Sequence, residues 1–346
     1  CDSIAALCTV TVILLFACNA LQVWHLYIVN AIGGLMNTVQ QPASEIASTV
    51  LVPEKHYQKI GGLRYFSSSL SSILTPVIAT AVYSFSGLEA VLTVDLLTFA
   101  VAFITLMFFI RIPKQSAESA ELSLIKSAKS GLDFLKSHKQ VLMLIMYLSA
   151  INLVASMYEA VLPAMVLSRK GGGTEALGAV STCVGAATLI GSTIATLMPK
   201  PKSRRRVICL SLLFSMSTEN FFLAFGQTPL LWCTGAVLGW ILIPMMSANL
   251  DVIMRTKVPC HMQGRVYSAR NTLQFFTIPL GNFLGGLAVD TFAEPLMAAM
   301  PHNSLMCNIF GSGKGSGAAL IFFIIGIMGV AVCLIFNSNK HIKKIE

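Results

Sequence analysis

The sequence predicts an all-α membrane protein with ten transmembrane helices present of an expected twelve. Three observations carry that prediction. With 55% hydrophobic and 11% charged residues and a mean hydropathy of +0.74, a chain of 346 residues exposes more apolar surface than a water-soluble core can hide. Its apolar stretches match the roughly 20 residues a helix needs to cross about 30 Å of hydrocarbon. They are also grouped, four before the single long polar stretch and six after it, so four-plus-six reads as six-plus-six without its first two spans. Cys1 stands where an initiator Met would, and a chain lacking those spans is expected to be inactive alone.

In order, the expected spans are 3–21, 26–50, 61–84, 87–110, 140–167, 176–198, 207–226, 230–253, 267–290 and 318–336. They divide the chain into an N-terminal half (1–110), a connector (111–139) and a C-terminal half (140–346). Helices are implied because backbone groups in lipid must be satisfied within their own segment, and no alternating barrel pattern of about ten residues is present. The first and last spans are apolar all round. The second carries Asn37, Gln41, Ser44, Glu45 and Ser48 at helical spacing, and the third opens on Gly62-Leu63-Arg64-Tyr65. The fifth carries Asn152, Ser156, Glu159 and Pro163 at steps of four, three and four. In 230–253 the corresponding line is Trp240, Pro244, Ser247 and Asp251, and in 267–290 it is Asn271, Gln274 and Asn282. Such stripes cannot face lipid, so these helices are expected to surround a polar interior.

Placing Cys1 in the cytoplasm leaves only Arg169, Lys170 and Lys314 of the 24 Lys and Arg residues outside. The positive-inside rule then puts both termini in the cytoplasm. This topology accounts for the net charge of +9. Nucleic-acid binding is excluded because no basic face is interleaved with aromatics. The nine cysteines are scattered without a CxxC pair, which argues against a disulfide framework or a zinc site. The run Gly311–Gly317 lacks the spacing of a phosphate loop, having Gly315 after its lysine and no preceding strand. With no nucleophile–base pair and no HExxH spacing either, an enzyme, a metal and a cofactor are not expected.

An internal repeat organises the spans. Pro42, Pro53 and Pro76 fall within a span, in the next loop and within the next span, and Pro244, Pro259 and Pro279 repeat those places at an offset of about 200 residues. Gly62-Leu63-Arg64-Tyr65 and Gly264-Arg265-Val266-Tyr267 open corresponding spans. With this layout, the strings Leu51-Val52-Pro53-Glu54, Gly264-Arg265-Val266-Tyr267-Ser268 and Phe276-Thr277-Ile278-Pro279-Leu280-Gly281 resemble the major facilitator superfamily, in its macrolide-efflux-like and enterobactin-exporter-like branch. The resemblance covers essentially the whole chain, as the third to twelfth family helices. Two family motifs depart from pattern. The loop between the eighth and ninth family helices is reduced to the basic run Lys200–Arg206, and the antiporter motif of the fifth reads Leu74-Thr75-Pro76-Val77-Ile78-Ala79.

Among candidate site residues, Glu159 stands out, because no Lys or Arg shares its span within the membrane. A lone intramembrane carboxylate is costly to ionise. It either binds a proton or a cationic substrate group, with Asn152 and Ser156 as polar neighbours, or is permanently protonated and bonded to a facing helix. Gln41, Asn37, Trp240, Asn271 and Gln274 complete the candidate substrate-binding or proton-binding set. Asp95 and Glu219 fall in helices that the resemblance assigns to the outer layer, where a structural hydrogen-bond role is favoured. Glu45, Arg64, Asp251, Arg255 and Arg265 lie near cytoplasmic ends and read either as ion pairs of an inner gate or as interfacial snorkelling.

The expectation is a monomeric secondary transporter of the bacterial plasma or inner membrane. It exports drugs or other amphiphilic small molecules by alternating access, with proton coupling. The 20 Phe and 16 Met residues could furnish an adaptable apolar pocket. A siderophore or metabolite exporter is the alternative within transport, and a non-transporting membrane scaffold or sensor is the alternative outside it.

Overall fold

The computed structural model describes residues 2–18, 20–109, 124–301 and 303–345. They are helical nearly throughout, and the first part of the expected connector lies outside them. Two compact units emerge: residues 1–54, 71–122 and 260–264 form the first, and 55–70, 123–259 and 265–346 the second.

In the first unit, α1 (Asp2–Ala17) packs along α2 (Val23–Leu51), which carries Pro42 inside it. Helix α3 (Tyr57–Ile104) enters this unit at Ser71 and bends at Gly87, where φ is 72°. Only glycine takes that conformation without a steric penalty, so the bend falls there. Thr9 Oγ1 donates to Asp95 Oδ2 at 2.7 Å, which gives this intramembrane acid a polar partner.

The second unit holds the initial turns of α3 together with α4 (Leu124–Ser137), α5 (Lys139–Ser168), α6 (Thr174–Leu197), α7 (Arg204–Phe225), α8 (Pro229–Trp240), α9 (Ile243–Lys257) and the later part of α10 (Cys260–Phe275). It continues through α11 (Thr277–Leu287), α12 (Glu294–Ala298), α13 (Leu305–Phe310), α14 (Ser316–Ser338) and α15 (Lys340–Lys343). Helix α5 lies against α11 and α14, while α7 packs on α8, α9 and α14. Trp232, Tyr147 and Phe322 are fully buried among them. The α5–α11 seam is close because Gly281 and Gly285 stand one turn apart. A Cβ at Gly281 would come within 2.5 Å of the Leu153 carbonyl oxygen, and one at Gly285 within 2.9 Å of that of Met157. Small residues at this spacing let helix backbones approach in lipid.

Seven helical stretches among the described residues are long and apolar enough to cross a membrane: Ala90–Phe108, Lys139–Ser168, Thr174–Leu197, Arg204–Phe225, Pro229–Lys257, Cys260–Ala298 and Ser316–Ser338. Ser3–Ala17 is apolar but shorter. Segments 26–50 and 61–84 are helical yet fall outside this set. In α2 the apolar run is diluted by Asn37, Gln40, Gln41 and Glu45, and several side chains of 61–84 lie outside the described residues. The chain is thus an all-helical membrane protein, and the count of ten spans stays an expectation. Large apolar side chains such as Leu197, Leu230 and Phe276 point outward, as lipid contact requires.

One end of the second unit is tied by a polar knot. Arg169, which follows α5, donates through Nη1 to the Gly226 carbonyl at 2.6 Å and through Nη2 to the Phe310 carbonyl. Trp232 Nε1 donates to the same Gly226 carbonyl at 2.9 Å. Glu294 Oε1 accepts from the backbone N–H groups of Gly315 and Ala318 at 3.0 and 3.2 Å, satisfying donors that the start of α14 would leave orphaned. Burial pushes the Arg169 guanidinium below its ordinary pKa, with Glu294 pulling it back up.

Candidate functional site

The 230–253 segment, expected to be one span, lies within the apolar helical stretch Pro229–Lys257; α8 and α9 meet at residues 241–242, whose backbone stays in the right-handed helical region. Pro244, in the first turn of α9, has no N–H for the Trp240 carbonyl, which loosens the helix there. Trp240 is the last residue of α8 and faces α7. There its Nε1 donates to Glu219 Oε1 at 2.7 Å, a charge-assisted length when the acid is ionised.

Glu219 is 4% exposed. Gly239 packs so closely on it that a Cβ there would lie 2.5 Å from Glu219 Oε2. Among the described residues no Lys or Arg bonds this carboxylate. The Tyr158 hydroxyl lies beside it, buried, without closing a well-formed hydrogen bond. Asn220, 1% exposed, donates its Nδ2 to the Met216 carbonyl at 2.9 Å and leaves its Oδ1 without a partner.

These groups line a cavity of about 330 Å³ enclosed by α5, α7, α8, α9 and the start of α3. The volume falls within the ~300–1,000 Å³ of small-molecule sites. Tyr65, Asn152, Glu159, Ser215 and Ser247 supply the rest of its polar wall, and Ile151, Leu212 and Met246 part of its apolar wall.

The expected site residues are placed as follows. Glu159 and Asn152 line the cavity, Glu159 as an exposed side chain at its edge. Trp240 lines it too. Ser156 does not: it is buried at the α5–α11 seam, beside Gly281, and gives its hydroxyl to the Asn152 carbonyl at 2.8 Å. It therefore packs helices and is not a neighbour of Glu159 in the cavity. Asn37 and Gln41 are exposed on α2 in the first unit. Asn271 is half-buried on α10 and accepts from Arg270 at 3.0 and 3.1 Å, while Gln274 is 8% exposed.

Of the gate candidates, Arg64 Nη2 meets Asp251 Oδ2 at 2.9 Å, with Arg64 39% and Asp251 9% exposed. Arg255 is buried with its guanidinium 5.4 Å from the centre of the Tyr57 ring. The backbone of Arg265 lies against Gly131 of α4, and Glu45 is buried in the first unit. Arg204 Nη1 bridges Gln58 Oε1 at 3.1 Å and Asn249 Oδ1 at 2.9 Å, and Gln58 Nε2 donates to the Met198 carbonyl at 3.1 Å.

Sequence reasoning passed over the α7 wall. Glu219, expected in an outer layer, faces the cavity with Leu212, Ser215, Met216 and Asn220. That line runs at i, i+3, i+4, i+7 and i+8, a helical stripe with three polar members. The signal was present in the spacing.

Comparison with known proteins agrees with this architecture. Residues 3–282 match the sequence profile of the Major Facilitator Superfamily. The chain is 25% identical over 275 residues to "Macrolide efflux protein A" of Streptococcus pyogenes, covering 78% of this chain and 67% of that protein. It is 24% identical over 266 residues to the protein of the same name from Enterococcus faecalis, covering 75% and 81% respectively.

Proposed function

The chain belongs to the major facilitator superfamily, and from that premise we propose that this transporter is a secondary active exporter of drugs or other amphiphilic small molecules. The observation that carries the reading is the cavity of about 330 Å³ in the second unit. It gives a mixed polar and apolar molecule a place inside a bundle that lipid surrounds. Likeness to macrolide efflux proteins supports export over uptake.

In this reading two halves, 1–110 and 140–346, rock about the substrate with both termini in the cytoplasm. Ten spans of the superfamily's twelve are present. Glu159, with Asn152 and Trp240, receives a proton or the cationic group of the substrate. Asn37, Gln41, Asn271 and Gln274 line other parts of the path. Arg64 and Asp251 form part of an inner closure, with Glu45, Arg255 and Arg265 as its further charged members.

The test is accumulation of a panel of macrolides and cationic dyes in an efflux-deficient bacterium expressing the full-length protein, with and without a protonophore. Lowered accumulation that the protonophore abolishes is the expected result. Accumulation unchanged across the panel would reject drug export and turn the search to siderophore or metabolite substrates.

A further inference from the structure

The polar wall of the cavity has a definite chemical bias. Glu219 presents a carboxylate that no Lys or Arg among the described residues neutralises; the well-formed hydrogen bond it accepts there comes from the Trp240 indole, with the Tyr158 hydroxyl beside it. Beside it, Asn220 Oδ1 is an acceptor without a donor, since the Asn220 amide nitrogen is spent on its own helix. The Tyr158 oxygen is likewise buried and unpartnered. Three nine-tenths-buried side chains thus line one cavity, with acceptor lone pairs that the described donors do not fill and a carboxylate without a cation.

A buried acceptor left without a donor costs on the order of 1–3 kcal/mol, more when the group is charged. A ligand that removes this deficit must bring N–H groups and a positive charge together. An alkali cation would bring charge but no donor for Tyr158 or Asn220, and it would prefer a fuller shell of oxygens. The aromatic rings of Trp240, Tyr158 and Tyr65 and the apolar side chains of Ile151, Leu212 and Met246 suit an organic body attached to the charge.

We propose that this cavity is a binding site for a protonated amine carrying an aromatic or aliphatic body. Its ammonium hydrogen-bonds to Glu219 and Asn220 Oδ1, with the Tyr158 oxygen as third acceptor. The site lies wholly within the second unit, and Glu219 is its charge-recognising residue, Trp240 fixing the carboxylate through Oε1. The proposal deepens the transport reading by naming the substrate's chemical class. The titratable groups facing Glu219 are Tyr158 and Glu159 from α5, with Tyr65 from α3 further along the wall. Glu159 stands at the edge, so it guides the approach of a cation but does not hold it.

The test is equilibrium dialysis of radiolabelled propranolol, an aryl secondary amine of suitable size, against the purified full-length protein in detergent. Its uncharged N-acetyl derivative serves as competitor. Saturable binding is expected, at least about tenfold tighter for the amine than for the acetyl derivative. Glu219→Gln should weaken amine binding by about tenfold or more and erase that discrimination, while Asn220→Leu weakens it several-fold and Glu159→Gln by about twofold at most. Absence of saturable binding, equal binding of amine and acetyl derivative, or wild-type amine binding by Glu219→Gln would overturn the site. If Glu219→Gln fails to fold, the discrimination by the wild-type protein and the Asn220→Leu variant still decide. Export of the drug panel without amine-selective binding would leave the transport reading standing and reject this site. Amine-selective binding without export would do the reverse.

Discussion

The second unit contains two buried polar regions built from similar residues to opposite effect. At the Arg169 knot, donors and acceptors are matched: the guanidinium reaches two carbonyls, Trp232 shares one of them, and Glu294 caps the start of α14. Among the described residues, the Glu219 cavity leaves Asn220 Oδ1 without a partner, the Tyr158 hydroxyl without a well-formed hydrogen bond and the carboxylate without a cation. Both are costly to bury. Saturation in the first region leaves nothing for a ligand to add, so its role is to hold loops together. Incomplete saturation in the second leaves a free-energy deficit that a ligand can remove.

The largest expected effect breaks the saturated region. Arg169→Ala takes the donor from the Phe310 carbonyl and removes one of two donors from Gly226. The cost is about 2–4 kcal/mol, the sum of charge-assisted hydrogen bonds lost and a buried acceptor left without a donor. It should be read as a clear fall in thermal midpoint of the detergent-solubilised protein. Arg169→Lys should restore less than half of it, because an ammonium cannot serve two carbonyls in the fork geometry of a guanidinium. Wild-type stability in Arg169→Ala would place both regions in one class.

Glu219→Gln inverts that profile. Gln keeps an oxygen for the Trp240 N–H, so stability should change by about 1 kcal/mol or less. Drug export in the accumulation assay should nevertheless fall by about tenfold or more if the carboxylate binds the transported cation. A large loss of stability with export retained would return Glu219 to the structural role that its place in the sequence first suggested.

The all-helical membrane character was legible in the sequence, because apolar length is a strong signal in a lipid solvent. The close α5–α11 seam rests on Gly281 and Gly285, small residues one turn apart in the sequence. The candidate site was legible in part. Asn152, Glu159 and Trp240 lie on stripes that do face the cavity, but Ser156, on the same stripe as Glu159, turns into a helix seam. A stripe of steps four, three and four spans only about 60° of a helix, but Ser156 and Glu159 stand at its two edges and meet different neighbours. Glu219 was assigned to an outer layer because the family resemblance places its helix there, although Ser215, Glu219 and Asn220 share one helical stripe. Its meaning depends on α8 packing on α7, which brings the Trp240 indole to it. Likewise nothing in the order of residues announces that Gln58, Arg204 and Asn249, far apart in the chain, share one hydrogen-bonded cluster.

A third region sharpens the contrast from the solvent side. The Arg64–Asp251 pair is matched like the knot, but Arg64 is 39% exposed, and solvent screens such pairs. A double-mutant cycle of Arg64→Gln and Asp251→Asn should return a coupling on the order of 1 kcal/mol in stability. If the pair closes an inner gate, reversing both charges should recover export lost in each single reversal. Recovery of stability without recovery of export would confine the pair to packing.

The smallest effect is the most selective. Tyr158→Phe deletes a hydroxyl that is buried and unpartnered in the absence of ligand, and keeps the ring that packs edge-on against Phe322 at 5.5 Å. Removing a properly bonded buried hydroxyl usually costs about 1 kcal/mol, whereas removing an orphaned one is neutral or stabilising. Tyr158→Phe should therefore leave the thermal midpoint unchanged or slightly raised while weakening amine binding a few-fold, since the ligand loses its third acceptor. A drop in stability of about 1 kcal/mol or more would mean that the hydroxyl is already satisfied by the resting protein. The deficit assigned to the cavity would then rest on Glu219 and Asn220 alone.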